Sequence, residues 1–227
     1  MTSDNYILWD HDGVLVDTEH WYFHATQRAL EELGIQLDRA LYLRRMVRGL
    51  SSWDLARQSG IADADIEAGI RTRDGYYQQY LLTQDIAIPG VIETLAELAG
   101  THRMGIVTTS KRRDFELIHR DRNIVSFMDF AIVREDYANS KPDPEPYLLG
   151  IQKVHTTADR VVAVEDSQRG LQSALAAGLD CVAVHNAFTA GHDFSAATYR
   201  VGAITEIPAL LRARPSRTAW LAVACVW

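Results

Sequence analysis

Residues 6–19 read YILWDHDGVLVDTE, in which a short apolar run leads directly into several acidic side chains. An apolar run of this length followed by a glycine is typical of a buried strand that ends in a turn. Alternate residues of a strand share a face, so Asp10 and Asp12 should point the same way, while His11 should point away from them into the body of the domain. The stretch therefore predicts a pair of carboxylates at the carboxyl end of a strand.

Two interpretations of this acidic pair stay open at the level of the sequence. Carboxylates packed together repel each other, and a divalent cation that prefers oxygen ligands, such as Mg²⁺, would make the pair tolerable. Acidic and hydroxyl side chains also cap helices, and Asp17 and Thr18 stand where the next helix is expected to begin. The pair alone suggests a metal site without establishing one.

Strands and helices alternate along most of the chain. Short runs rich in β-branched residues predict strands at 6–9, 104–108, 130–133, 161–164 and 181–184. Helical patterns lie between the later strands, at 91–98, 112–120, 144–154 and 168–177. This alternation predicts an α/β fold with a doubly wound parallel sheet that helices cover on both faces.

The stretch between the first two strands breaks the alternation, because it contains helical patterns alone, at 20–33, 38–47, 51–58 and 63–82. We interpret residues 18–83 as a helical cap domain inserted into a core that comprises residues 1–17 and 84–213. Residues 214–227 fit neither pattern and have no assignment.

The composition is that of an ordinary globular protein, with 47% hydrophobic and 23% charged residues among 227. A net charge of −7 without a basic segment argues against a nucleic-acid partner. No apolar run is long enough to span a membrane, and the first residues lack the pattern of a signal peptide. Cys181 and Cys225 provide neither a disulfide framework nor a metal spacing. We expect a cytoplasmic protein that is a monomer or a weak dimer.

Three more groups of polar residues follow predicted strands or lie in loops between them. Thr108, Thr109 and Ser110 come after the second strand, where hydroxyls and backbone amides at the start of a helix can hold a phosphate. Lys141 stands in a loop that prolines stiffen, and it can deliver a point charge to an anion. Glu165 and Asp166 follow the fourth strand. Each group also has a simpler interpretation, as a helix cap or a solvated side chain.

These groups are more informative together than one by one, because all of them belong to one edge of the predicted sheet. They supply carboxylates for nucleophilic and acid–base catalysis, metal ligands, hydroxyls and a cation. Those are the parts that phosphoryl transfer requires.

The same residues resemble the motifs of the haloacid dehalogenase-like superfamily, in its subgroup with a helical cap inserted after the first motif. DHDGVLVDTE is similar to the first motif and VTTS to the second. Lys141 in SKPDPEPY corresponds to the third motif, and VEDSQRG to the fourth. The resemblance runs in family order from Asp10 to about Gly170.

The resemblance implies a role for each matched residue. Asp10 would attack phosphorus and form an aspartyl-phosphate, and Asp12 would act as the general acid and base. Mg²⁺ would be held by the Asp10 carboxylate, the backbone carbonyl of Asp12 and the Asp166 carboxylate, with Glu165 as a further ligand or a partner of the ligands. The remaining implied residues bind the phosphoryl group (Thr108, Thr109 and Lys141) or face the substrate from the cap loop (Arg48, Gly49 and Ser51).

The reactions known in the superfamily can be separated by residue type. Dehalogenases lack the second acid of the first motif, which is Asp12 here. Phosphonoacetaldehyde hydrolases need a cap lysine, and residues 17–85 contain none. The chain also resembles β-phosphoglucomutase, but Tyr22 and Ser52 stand where that enzyme has a histidine and a phosphate-binding arginine.

We therefore expect a Mg²⁺-dependent phosphatase that acts on a small phosphorylated metabolite, with a sugar phosphate among the candidates. A phosphomutase of the β-phosphoglucomutase type is the alternative. A catalytically silent binding module with the same fold is the non-enzymatic alternative, and the complete set of motifs argues against it.

Overall fold

The structure is a computed structural model that describes residues 5–154 and 156–213. The unassigned tail, residues 214–227, and Cys225 within it lie outside the described residues. Within them, no helix is both long and apolar enough to cross a membrane.

Six parallel strands form one sheet in the described part of the chain, in the order β3-β2-β1-β4-β5-β6. They are β1 (Tyr6–Trp9), β2 (Arg103–Val107), β3 (Phe130–Ile132), β4 (Val161–Glu165), β5 (Asp180–Val184) and β6 (Tyr199–Val201). The predicted doubly wound parallel α/β sheet is confirmed. The sequence patterns missed β6, because it is three residues long and carries the exposed Arg200 at its centre.

Helices cover both faces of the sheet because alternate residues of each strand point in opposite directions. Ile7 and Trp9 pack into one cluster with residues of α5 (Val91–Leu98), α6 (Arg112–His119) and α9 (Ile207–Ala213). Tyr6 and Leu8 pack into the other, with residues of α7 (Glu145–Lys153) and α8 (Gln168–Ala176). Short 3₁₀ turns join some of these elements (Val125–Phe127, Arg134–Asp136, Ala158–Arg160 and Ile204–Glu206).

Four helices lie between β1 and α5: α1 (Glu19–Glu31), α2 (Arg39–Val47), α3 (Asp54–Gln58) and α4 (Asp63–Thr83). Their apolar side chains form a hydrophobic cluster of their own, which includes Phe23, Tyr42 and Trp53. Phe188, from the loop after β5, also belongs to this cluster. Helix α3 begins three residues later than predicted. The division into a core and a cap domain stays a prediction.

A sharp turn follows β1, and Gly13 makes it possible. Its φ angle of +86° lies in the left-handed region that glycine adopts without strain. A Cβ atom at this position would lie 2.0 Å from Oδ2 of Asp166 and 2.6 Å from Nδ2 of Asn186. The turn therefore brings the end of β1 into direct contact with the end of β4.

Candidate active site

Three carboxylates meet where β1 and β4 end. The two strands are neighbours in register, with Trp9 opposite Val164, and the amide of Asp10 donates to the carbonyl of Val164 at 2.8 Å. Carboxylate oxygens of Asp10, Glu165 and Asp166 lie within 4.8 Å of one another, and all three residues are buried. The structure thus brings together acids that are 155 residues apart in the sequence.

Lys141 lies inside this acidic group rather than on the surface. Its Nζ atom is 2.6 Å from Oδ1 of Asp10, 2.7 Å from Oε1 of Glu165 and 2.9 Å from the carbonyl oxygen of Val107. Burial opposes the charge of the ammonium group, but Asp10 and Glu165 outweigh it and raise the pKa of Lys141 above its usual value. The lysine is therefore a fixed positive charge at the end of β1.

One lysine does not balance three buried carboxylates. Burial and repulsion from Glu165 raise the pKa of Asp10 to about 7, against the opposing effect of Lys141. Burial, Asp10 and Glu165 also raise the pKa of Asp166 well above its usual value. A group of oxygen ligands with this excess of negative charge fits a hard divalent cation such as Mg²⁺.

The two acids of the fourth motif have different partners. Glu165 accepts hydrogen bonds at Oε1 from Lys141 and from the hydroxyl of Tyr147 at 2.7 Å, and at Oε2 from the hydroxyl of Ser167 at 3.2 Å. Oδ2 of Asp166 accepts from the amide of Asn186 at 2.8 Å. Glu165 thus serves Lys141 as a counter-charge, in addition to its place near the other two carboxylates.

Asp12 is held by a ring of hydrogen-bond donors. Its Oδ2 atom accepts from the hydroxyls of Ser110 at 2.6 Å and Thr108 at 3.1 Å, and the hydroxyl of Thr18 donates to Oδ1. Burial alone would raise the pKa of Asp12, but His11 and the hydrogen bonds from Ser110 and Thr18 lower it below its usual range. Asp12 is therefore kept as a carboxylate. Thr18 stands at the start of α1, but its side chain does not cap the helix.

The expectation that His11 points away from both acids is wrong for Asp12. The ring does enter the body of the domain, where Nε2 lies 2.9 Å from Nε2 of His119 and the ring packs against Phe115. Its Nδ1 atom nevertheless lies 3.3 Å from Oδ2 of Asp12. Strand geometry does not hold here because the turn begins immediately after β1, so the alternation of side chains ends at Trp9.

The lowered pKa of His119 predicts that the folded protein loses stability in acid. Burial, then His11 and Arg122, lower the pKa of His119 from 6.5 to about 3. Below about pH 6.5 the unfolded chain binds a proton that the folded protein refuses until about pH 3. The free energy of unfolding should therefore fall as the pH drops through this window, by about 1.4 kcal/mol per pH unit for one proton, and should level off above it.

The measurement is urea unfolding of wild type and of His119→Leu between pH 4.5 and 7.5. We expect the free energy of unfolding of His119→Leu to depend less steeply on pH than that of the wild type, by the contribution of about one proton. This difference in slope does not depend on the stability of the variant at neutral pH. The matched control is His24→Asn, which removes an exposed histidine. A slope that stays the same in His119→Leu would show that another group takes up the proton.

A cavity of about 350 Å³ lies between the helices α1–α4 and the sheet edge that carries the acids. Of the residues predicted for substrate and phosphate binding, Thr109, Lys141, Gly49 and Ser51 line it. Arg48 is exposed and is not part of the lining, and Thr108 is fully buried behind it. Their roles stay predictions.

The cavity wall also contains polar residues that sequence reasoning missed. Arg73 is buried in α4, and its guanidinium contacts the hydroxyl of Tyr22 on α1. Arg169 lies 3.4 Å from the hydroxyl of Thr109. The helical pattern of the sequence places such arginines on a helix, but it does not show which cavity they face. Ser110, which the sequence places beside the two threonines, also lines the cavity.

An open parallel sheet with carboxylates at the ends of two adjacent central strands defines an α/β protein whose site lies at the switch point of the sheet. The chain belongs to the haloacid dehalogenase-like hydrolases, because the model of that family matches residues 7–184.

Individual proteins resemble this chain at low sequence identity. A phosphorylated carbohydrates phosphatase from Thermotoga maritima is 28% identical over 180 residues, which are 77% of this chain and 82% of the relative. A crystal structure of a CbbY variant from Rhodobacter sphaeroides in complex with xylulose-1,5-bisphosphate is similar in fold, with a TM-score of 0.76, 24% identity, and coverage of 89% of this chain and 95% of that one. A β-phosphoglucomutase from Clostridium difficile has a TM-score of 0.77 at 18% identity, with coverage of 97% and 100%.

Proposed function

We propose that this protein is a Mg²⁺-dependent phosphatase that hydrolyses a small phosphorylated metabolite through an aspartyl-phosphate on Asp10. The observation that carries the proposal is the contact of Lys141 with Asp10 beside Asp12 and Asp166, at the edge of the cavity of about 350 Å³. The relatedness to a phosphatase of phosphorylated carbohydrates supports a sugar phosphate as the substrate.

Asp10, Asp166 and the backbone carbonyl of Asp12 would hold the metal. Its fit rests on the donor set, which is made of oxygen atoms and carries more negative charge than Lys141 balances. When bound, Mg²⁺ would supply positive charge against the phosphate and so reduce its repulsion by the attacking carboxylate.

The carboxylates of the first motif would divide the chemistry between them. Asp10 forms a bond to phosphorus while the ester bond to the alcohol breaks, and Asp12 gives the leaving oxygen its proton. A phosphate dianion beside Asp12 favours its protonated form, which the free protein disfavours. Asp12 then takes a proton from the water that attacks phosphorus, and inorganic phosphate leaves Asp10.

Lys141 would stabilise the negative charge that spreads over the transferring phosphoryl group, together with hydroxyls and amides near Thr108 and Thr109. The helices α1–α4 would act as a cap that closes over the substrate and excludes bulk water. Gly49 and Ser51, which line the cavity, and the neighbouring Arg48 would bear on substrate choice.

A phosphomutase is the second candidate, and one observation favours it. A mutase must grip a second phosphate, and the cavity offers Arg73 and Arg169 although Tyr22 and Ser52 replace the residues expected for that task. Hydrolysis remains the proposal because the Tyr22 hydroxyl already contacts the guanidinium of Arg73.

Phosphate release from a panel of sugar phosphates, measured with Mg²⁺ and with a chelator, tests the proposal. We expect release with Mg²⁺, at least about 100-fold slower release in the chelator, because a catalytic metal supplies several kcal/mol, and recovery when Mg²⁺ is restored. Interconversion of hexose phosphates without release would favour the mutase. No reaction with any member of the panel, with or without Mg²⁺, would favour the silent binding module.

A further inference from the structure

The loop that follows β5 connects the acidic site to the helices α1 and α2. We call residues 186–189 the coupling loop. Its first and last residues, Asn186 and Thr189, contact Asp166, and Phe188 between them lies in the hydrophobic cluster of the inserted helices. None of these residues belongs to the motifs that define the site.

On the side of the acidic site, Asn186 and Thr189 hold Asp166. The amide of Asn186 donates to Oδ2 of Asp166 at 2.8 Å and to the carbonyl oxygen of Gly13 at 3.2 Å. The hydroxyl of Thr189, which is fully buried, donates to the backbone carbonyl of Asp166 at 2.6 Å. Thr189 therefore holds the main chain of Asp166, and Asn186 holds its side chain. The side-chain amide of Asn186 also bridges the ends of β1 and β4, which form the site.

On the side of the helices, Phe188 packs against both Phe23 of α1 and Tyr42 of α2, with ring centroids 6.1 Å from each. Arg39 of α2 donates to the carbonyl oxygens of Ala187 at 2.9 Å and Phe188 at 2.8 Å. Its guanidinium also lies 4.7 Å above the ring of Phe188. The loop is therefore attached to α2 through both packing and hydrogen bonds.

A hydrogen bond within the loop joins the two sides. The amide of Phe188 donates to Oδ1 of Asn186 at 2.8 Å, so the side chain that orients Asp166 is itself held by the residue that the helices hold. A shift of α1 or α2 would move Phe188 and strain the bonds of Asn186. Such connected contacts are how a metal ligand is oriented by residues that do not touch the metal.

We propose that Asn186 is a positioning residue for Asp166, and that the coupling loop links the affinity for Mg²⁺ to the seating of helices α1 and α2. This inference rests on the proposed function, since it takes Asp166 as a metal ligand. Because coupling is reciprocal, Mg²⁺ should also steady α2 against the core.

Calorimetric titration with Mg²⁺, without substrate, tests the inference. We expect Asn186→Ala to raise the dissociation constant for Mg²⁺ about 10-fold or more. Arg39→Met keeps an apolar stem over Phe188 but removes two hydrogen bonds, and it should shift the constant in the same direction by less. Arg44→Met, on the exposed side of α2, is the matched control and should bind Mg²⁺ as the wild type does.

Amide hydrogen exchange separates coupling from local damage. Mg²⁺ should slow exchange in residues 39–47 of the wild type, and this protection should be lost in Arg39→Met while the melting temperature without metal stays close to that of Arg44→Met. Wild-type affinity in Asn186→Ala would overturn the inference and leave the proposed function intact. A wild type that binds no Mg²⁺ would overturn both.

Discussion

Replacing Asp10 with Asn will abolish phosphate release and leave the protein folded. The amide cannot attack phosphorus, and loss of a covalent nucleophile lowers turnover by at least about 10⁴-fold in enzymes of known mechanism. The fold should survive because the amide oxygen can still accept the hydrogen bond that Lys141 gives to Oδ1 at 2.6 Å. Turnover of the panel substrates and chemical unfolding, measured on one preparation, check both statements.

The effect of Asp10→Asn on stability follows from the pKa of Asp10. The pKa of Asp10 is raised from 3.8 to about 7 in the folded protein, mainly by burial, so its ionisation lowers stability as the pH rises from about 3.8 to 7, and the full cost is present above pH 7. In the absence of Mg²⁺ at pH 8, Asp10→Asn should therefore be at least as stable as the wild type. Asp17→Asn is the matched control, because its carboxylate follows the same strand but lies 3.2 Å from His20, outside the acidic group. Retained phosphate release in Asp10→Asn would contradict the mechanism.

Replacing Lys141 with Met will cost both activity and stability. The side chain fits the same volume but leaves Asp10 and Glu165 as buried carboxylates without their counter-charge. Breaking one partner of a buried ion pair costs about 3–5 kcal/mol of stability. Loss of a group that stabilises charge in the transition state lowers turnover by at least about 100-fold. Urea unfolding and phosphate release measure the two effects.

A second substitution separates these two effects. Glu165→Gln added to Lys141→Met removes one of the stranded charges, so the double variant should regain stability without regaining activity. The stability deficit of Lys141→Met should also shrink as the pH falls towards 7, because Lys141 lowers the pKa of Asp10 in the wild type and its removal lets Asp10 become neutral at a higher pH. If Lys141→Met unfolds at the same urea concentration as the wild type, the lysine does not neutralise the buried acids.

The sheet and the location of the site could be predicted from the sequence because they depend on local patterns. Five strands are short, largely apolar runs, and the acids and hydroxyls of the site stand at the ends of three of them, β1, β2 and β4. Parallel strands share one edge for their carboxyl ends, so Asp10 and Asp166 are expected at the same edge, and the pairing of β1 with β4 then brings them together. Strand β6 and helix α9 were missed because they are short and carry weak patterns.

The contacts that the sequence could not predict join residues far apart in the chain. His119 lies 108 positions after His11, and nothing in either local pattern indicates that their rings meet. The same holds for Arg73 and Tyr22, which come from helices that face each other only after the insert has folded. The partners of Asn186 depend on the turn at Gly13 and on the end of β4 at once. Such contacts are decided by tertiary packing.

The central place of β1 in the sheet has a consequence for synthesis of the chain on the ribosome. This strand is made first, yet it pairs with β2 and β4, which begin at Arg103 and Val161. At ~5–20 residues per second, the apolar segment YILW must wait roughly 8–30 s for its last neighbour. Helices α1–α4 can meanwhile begin to bury their own apolar cluster, but one edge of β1 stays unpaired until β4 has been made, and a chaperone would have most to shield during that interval.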